Sequence, residues 1–388
     1  MDKRLSQDLD AIRGAASLYI LVGHSFEWFL LPVSSPNALM PFGQLAYLAV
    51  IVFFVLSGYV ISNSLIVNWR SGGSVDGLQY LAARSARILP PYAFALLLSV
   101  AVPLVILALN MHGAESFRLP GDIELARERV YLPLKDLVAT ILLSQGMIPG
   151  TSALPSNGPL WTLSFEVWLY LIALLISIAW DRIARRTGDA YVPLIGLVMV
   201  ALLLSTRFHV RFQQFSLFWF LGAALRLREA FPHSCLKHIP FLLGAVLIGC
   251  LGPIVVFPHK ILPLNDSPLG LAATTVIILC GLGFFAATRQ WLPPGKIIFL
   301  RKLARSSYTL FIIHWPLLMF FFSLFHAQFI TWEAPMRILY LVGINLGIIA
   351  IAHFAALFLE DKHAWLRRGN AVWQRITYGS GVDQEAGL

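Results

Sequence analysis

Long apolar runs recur along the chain, separated by short polar breaks, and the spacing of those breaks sets the expected fold. A run of about 20 apolar residues suits a helix that crosses a bilayer. Ten such runs occur, at about 9–31, 44–67, 88–110, 159–180, 191–206, 212–227, 239–257, 268–287, 307–326 and 336–359. Runs of this length argue for helix rather than strand. The segment 133–148 is apolar but short, which fits a re-entrant or interfacial helix better than a span. The expected fold is an all-α polytopic membrane protein with about ten transmembrane helices.

Basic residues orient the spans. With the N-terminus inside, 21 of the 29 Lys and Arg fall on the cytoplasmic side, leaving only 118, 127, 129, 135, 207, 211, 260 and 337 outside. That imbalance places both termini in the cytoplasm. The longest break, 111–158, then faces outward, with mixed charges such as Glu115, Asp122, Glu124 and Arg127. The expected organisation is one membrane domain, 1–360, followed by a short cytoplasmic tail, 361–388.

Composition agrees with this pattern. The chain is 58% hydrophobic and 13% charged over 388 residues, against about 45–50% and about 25% in soluble domains. A net charge of +9 does not signal nucleic acid, because the basic residues sit in breaks between apolar runs rather than in a patch with interleaved aromatics. Three cysteines form neither a disulfide framework nor a C-x-x-C metal signal, the histidines form no ligand cluster, and no metal is expected. Lys3 and Arg4 precede an apolar run that lacks a small-residue cleavage site, so the first span is expected to be retained.

Several polar groups stand out against the apolar background. In "LDAIRGAASLYILVGHSF", Arg13 and His24 are eleven residues apart, about 20° past three helical turns, so they share one face about 16 Å apart. Arg13 can snorkel or pair with Asp10, and His24 can hydrogen-bond a neighbouring helix; together they also suit a lined polar passage. Arg84 and Arg87, at i and i+3 in "YLAARSARILPPY", are ordinary positive-inside charge or a clamp for phosphate groups. Glu166 in "GPLWTLSFEVWLYL" lies about two turns inside a span, where a carboxylate is either ion-paired or part of a site. In "ARSSYTLFIIHWPLL", Ser306 is the expected N-cap of the ninth span, Ser307 and His314 share a face, and His314-Trp315-Pro316 marks a kink that neighbouring groups must satisfy. Gly58 in "FFVLSGYVIS" suits close helix approach.

Taken together, these motifs resemble the acyltransferase-3 family of integral membrane acyltransferases, over about residues 7–360. The R-x10-H motif appears as Arg13 and His24 within "LDAIRG", "FFxLSG" as residues 53–58, and R-x-x-R as Arg84 and Arg87. The family's span-four glutamate resembles Glu166, and "SYxxYxxHxP" resembles "SYTLFIIHWP", with Phe311 where a tyrosine is common. The resemblance implies acyl transfer, with acetyl-CoA or another acyl-CoA as donor, to a hydroxyl of a surface or exported carbohydrate such as a polysaccharide, an O-antigen or a lipochitooligosaccharide. It implies catalytic roles for His24 and Glu166, with Arg13, Arg84, Arg87, Ser307, Tyr308 and His314 on the donor side. His24 would act as general base or accept the acyl group itself. Many relatives carry a fused periplasmic hydrolase-like domain; its counterpart here would be a separate periplasmic partner, or transfer would be direct. The implied setting is a bacterial inner membrane. A secondary transporter or flippase of an anionic or lipid-linked glycan is the rival class, since charges on one internal face would suit it too.

Overall fold

The computed structural model describes residues 3–30, 33, 36–111, 117–119, 123–125, 132–187, 210–232 and 298–367. Its long helices are α1 (Lys3–Leu30), α2 (Pro36–Gly72) and α3 (Gly77–Ala108). A short antiparallel ribbon of β1 (Phe117–Leu119) and β2 (Ile123–Leu125) pairs Arg118 with Glu124, a detail absent from the all-α expectation. The short helix α4 (Leu134–Ile141) follows; then a 3₁₀ turn, Pro155–Leu160, runs into α5 (Trp161–Thr187). The remaining helices are α6 (Val210–Ala230), the short α7 (Ile298–Ala304), α8 (Ser307–Thr331) and α9 (Ala334–Leu359).

Among the described residues, five segments are long and apolar enough to cross a membrane: Ala46–Gly72, Gly77–Ala108, Pro155–Arg182, Ser307–Thr331 and Ala334–Arg367. Helices α1 and α6 have the length but are diluted by charge, in α1 by Arg13 and Glu27 and in α6 by Arg226, Arg228 and Glu229. The runs expected to span at 191–206, 239–257 and 268–287 lie outside the described residues, as does 368–388 of the expected tail. The segment near 133–148 forms α4, whose Leu134, Val138 and Ile141 are exposed on one face, with Leu142 just beyond the last turn. That stripe suits a helix lying in the interface plane. Its buried Asp136 carboxylate accepts from the Ser152 backbone N–H at 2.8 Å and fastens the following loop.

Side-chain pairs fix the direction of each long helix. Arg13 meets Ala304 and His24 meets His314, so α1 runs parallel to α8. Tyr308 meets Ile88 and Asn157 links Ser99 to Ile312, so α3 runs the same way. Thr309 meets Glu360 and Tyr340 meets Phe321, so α9 runs opposite to α8. Ser57 meets Tyr170, Trp69 meets Asp181, and Asn63 meets Arg226, so α2, α5 and α6 share one direction. The start of α1 and the end of α9 therefore lie at the same end of the bundle. Large apolar side chains left exposed along α3 (Leu97, Leu104, Leu107) and α9 (Leu339, Val342, Leu346, Phe354, Phe358) form the surface that lipid would cover.

The N-terminus of α8 departs from expectation in its chemistry. Ser306 stands at the N-cap position, but its hydroxyl donates back to the Leu303 carbonyl. The carboxylate of Glu360, from the end of α9, accepts from the Thr309 backbone N–H at 3.0 Å and the Thr309 hydroxyl at 2.6 Å. A charged acceptor at a helix N-terminus serves better than a serine hydroxyl, which explains the exchange.

Gly58 performs the role its position suggested. A Cβ there would lie 1.9 Å from the Trp219 carbonyl oxygen, and a Cβ on Gly222 would lie 1.9 Å from the Val55 oxygen. The two glycines thus let α2 and α6 touch backbone to backbone, as small residues do in lipid-embedded bundles. Gly58→Ala is expected to lower stability by at least about 1–3 kcal/mol, the usual cost of overpacking. A melting temperature in detergent equal to that of the unaltered protein would contradict this crossing.

Candidate functional site

Around Arg13, the first turns of α1 have to hold a guanidinium inside the bundle. Its Nη2 donates to Asp10 at 3.0 Å and to the Ala304 carbonyl at 3.1 Å. Gly14 makes this possible: a Cβ at that position would lie 2.1 Å from the Leu300 oxygen, so α7 can press directly on α1. Arg84 lies over the Tyr80 ring at 5.5 Å, a cation–π contact, and its buried Nε meets no hydrogen-bond acceptor among the described residues. Arg87 is one turn further along α3.

These three arginines line one cavity of about 300 Å³ with Asp10, Ser57, Glu166, Tyr170, Ser307 and Tyr308. Three guanidiniums face two carboxylates, one of which already serves Arg13, so the lining favours an anionic guest. Ser6 and Leu9 place its mouth at the end where α1 begins, and Phe53 and Phe311 bound it in the interior. Their rings are 5.6 Å apart.

Glu166 belongs to this cavity rather than to the imidazoles. Trp219 Nε1 donates to the Ser57 hydroxyl at 3.2 Å, Ser57 donates to the Tyr170 hydroxyl at 3.1 Å, and Tyr170 donates to Glu166 at 2.9 Å. An ionised carboxylate can only accept, so the last proton of the chain, that of Tyr170, points to Glu166. Glu166 is thereby held as an acceptor facing the arginines. Ser307 donates to the Ala304 carbonyl at 2.8 Å and Tyr308 to the Ile88 carbonyl at 3.3 Å, so both line the cavity with their protons already committed.

His24 and His314 form a second centre. His24 Nδ1 lies 2.8 Å from His314 Nε2, and the rings are coplanar within 2° with centroids 5.1 Å apart. Coplanar rings this far apart meet edge to edge, not face to face. His314 Nδ1 lies 3.2 Å from the Leu310 carbonyl oxygen, which can only accept. With both rings neutral, His314 therefore carries its proton on Nδ1, its Nε2 accepts, and His24 must donate from Nδ1. That tautomer leaves the basic lone pair of His24 on Nε2. Trp315 stands edge-on to His24 at 4.9 Å, and Phe311 touches His314 at 5.9 Å. Phe311 thus borders both the cavity and the histidine pair.

The sequence therefore brings its candidate residues together in two groups, Arg13, Arg84, Arg87, Glu166, Ser307 and Tyr308 in one and His24 and His314 in the other. His314, expected on the donor side, is instead the hydrogen-bonding partner of His24. Tyr170 was missed, although its place four residues after Glu166 on a helix was a legible signal. The shared face of Arg13 and His24 is real: both turn toward the α7–α8 segment.

The sequence also matches known proteins. The sequence model of the family described as "Acyltransferase domain", acyltransferase-3, matches residues 6–356. The chain belongs to this acyltransferase family. It is also similar to "Protein 2 in picA locus" of Rhizobium radiobacter, with 30% identity over 202 residues, covering 51% of this chain and 92% of that protein. No solved structure matches.

If His314 fixes the His24 tautomer, His314→Ala should slow acyl transfer by about tenfold or more while the protein remains folded, since a misoriented imidazole forfeits most general-base catalysis. A rate equal to that of the unaltered protein would show that the pair is structural only.

Proposed function

We propose that the chain takes an acyl group from a cytoplasmic acyl-CoA, acetyl-CoA first among them, and passes it to a hydroxyl of a surface or exported carbohydrate. The observation that carries this reading is a polarised imidazole pair set directly behind an arginine-lined cavity. On the proposed orientation both termini are cytoplasmic, the helices number about ten, and the setting is a bacterial inner membrane.

The donor's phosphates would meet Arg84 and Arg87 at the cavity mouth, with Arg13 deeper. A cavity of about 300 Å³ is at the small end for ligand sites, so only part of an acyl-CoA enters, its slender pantetheine arm pointing inward. The thioester then approaches Phe311 and the imidazoles beyond it. His24 Nε2 takes the proton of the acceptor hydroxyl as its oxygen attacks the thioester carbonyl. The C–S bond breaks, the CoA sulfur leaves with the electron pair, and His24 returns the proton to it. While His24 is an imidazolium, its Nδ1–H still donates to His314, which keeps the ring aligned. Glu166 balances the guanidiniums when the donor is absent and sets where they point when it is bound. A covalent acyl-His24 route uses the same lone pair.

Inside-out membrane vesicles with radiolabelled acetyl-CoA test this. Label should enter vesicle glycan or lipid with the unaltered protein and fall about 10²–10⁴-fold with His24→Ala. Label retained on the protein without an acceptor indicates the covalent route. No label movement with any acyl-CoA or acceptor supplied would leave the transporter reading instead.

The arginine cavity makes a separate prediction. Arg84→Ala/Arg87→Ala should weaken binding of acyl-CoA by about tenfold or more and leave dephosphorylated acyl-pantetheine binding unchanged, as expected for lost charge-assisted phosphate contacts. Equal loss for both ligands would remove the phosphate role.

A further inference from the structure

Pro316 in α8 and Pro103 in α3 each free a carbonyl that must find a donor. Pro316 has no N–H, so the Ile312 carbonyl, four residues earlier in α8, loses its helical partner. Pro103 does the same to the Ser99 carbonyl in α3. Neither carbonyl is orphaned. Asn157 Nδ2 donates to the Ile312 carbonyl at 2.8 Å, and the Ser156 hydroxyl donates to the Ser99 carbonyl at 2.5 Å.

Adjacent residues of one 3₁₀ turn thus serve two broken helices at once. Asn157 Nδ2 also donates to the Ser99 hydroxyl at 3.0 Å, which itself donates to the Ala95 carbonyl. The backbone bends to allow this: Asn157 sits at φ −154°, ψ 65° inside the turn. Ser156 and Asn157 are almost completely buried. From the same turn, the Pro155 carbonyl accepts from Trp315 Nε1 at 3.3 Å. Gly158 lies against the Trp315 ring, where even a Cβ would come within 3.8 Å of it.

The Asn157, Pro155 and Gly158 contacts fall on the stretch Leu310–Pro316, which carries His314 and Trp315, two residues that stand against His24. Leu310 holds the His314 proton, His314 accepts from His24, and Trp315 packs edge-on against it. We propose that Asn157, by holding the Ile312 carbonyl, is the positioning residue that fixes the rotation and height of this kinked segment and so keeps His314 on His24. Without it a buried carbonyl would lack a donor, which costs about 1–3 kcal/mol. The kink would relax until the carbonyl found another partner, and the 2.8 Å imidazole contact would open. Asn157 acts through α8 and touches neither imidazole in any described contact. The proposal rests on the reading of His24 as the reacting base.

Purified protein in detergent tests this with Asn157→Leu, Pro316→Ala and the double variant. Asn157→Leu should lower kcat by about tenfold to a hundredfold, the scale of a misplacement near 1 Å, and leave KM for acetyl-CoA within about twofold because no cavity residue changes. It should also lower the melting temperature, and that loss should largely vanish in the Pro316→Ala background, where the introduced alanine supplies the missing N–H. An unchanged kcat overturns the positioning role, as does a KM that rises in step with the fall in kcat. An equal melting-temperature loss in both backgrounds shows that Asn157 does not act through the Ile312 carbonyl. If the unaltered protein consumes no acyl-CoA, the reading of the reaction fails, while the melting temperatures still decide the carbonyl contact.

Discussion

Inside a bundle shielded from water, a hydrogen-bond chain has a direction whenever one end can only donate or only accept, and this protein uses both kinds of end. The Leu310 carbonyl can only accept, which orients the protons of His314 and then of His24. In the other chain the Trp219 indole can only donate to Ser57, and at the far end the ionised Glu166 carboxylate can only accept from Tyr170. One chain ends in a basic nitrogen and the other in an acceptor carboxylate. Where water is scarce, an unmatched group is costly, so these directions resist rearrangement. The chemistry of the site depends on them more than on any single distance.

The two chains also keep two tasks apart. On the proposed reaction, charge selection falls to the arginine cavity, shaped by the close contact of α7 on Gly14 and bounded by Tyr170 and Tyr308. In the same proposed reaction, proton transfer falls to the imidazole pair between α1 and α8. Phe311 stands where they meet, lining the first and touching the second. A phenylalanine here brings no hydroxyl of its own between the two centres. The parallel course of α1 and α8 lets a fixed offset along both helices hold the cavity and the histidines in register.

Much of this was legible from residue spacing. Helical periodicity put Arg13 and His24 on one face, and Arg84 and Arg87 on another, because a single helix determines both relations. Gly58 read correctly because a bulkless position in an apolar run has few other uses. What spacing could not supply was pairing between distant helices. Glu166 read as either ion-paired or part of a site, and only the packing of α2 against α5 sets it beside Ser57, Tyr170 and the guanidiniums. His314 looked like a donor-side residue because it shares a face with Ser307, yet nearly three helical turns separate Ala304, which holds Arg13, from His314, which holds His24. Ser306 lost its capping role to Glu360, which is remote in sequence. The need for a donor at the Pro316 kink was readable; that Asn157 would answer it was not, since the partner lies in a turn joined to α8 only through space.

The aromatic layer beyond the histidines has a consequence for the membrane itself. Trp28, Phe29, Phe322 and Phe329 are almost wholly enclosed, with Trp28 against Trp315 and Phe29 against Phe322, Phe329 and Tyr340. A cell cannot tolerate an open file of charged and ionisable groups across its energised bilayer, because protons would run down the gradient that powers it. Here, among the described residues, packed rings stand beyond the imidazole pair, with His326 set against one of them. Rings packed that closely beyond buried charges narrow the route by which a proton could cross.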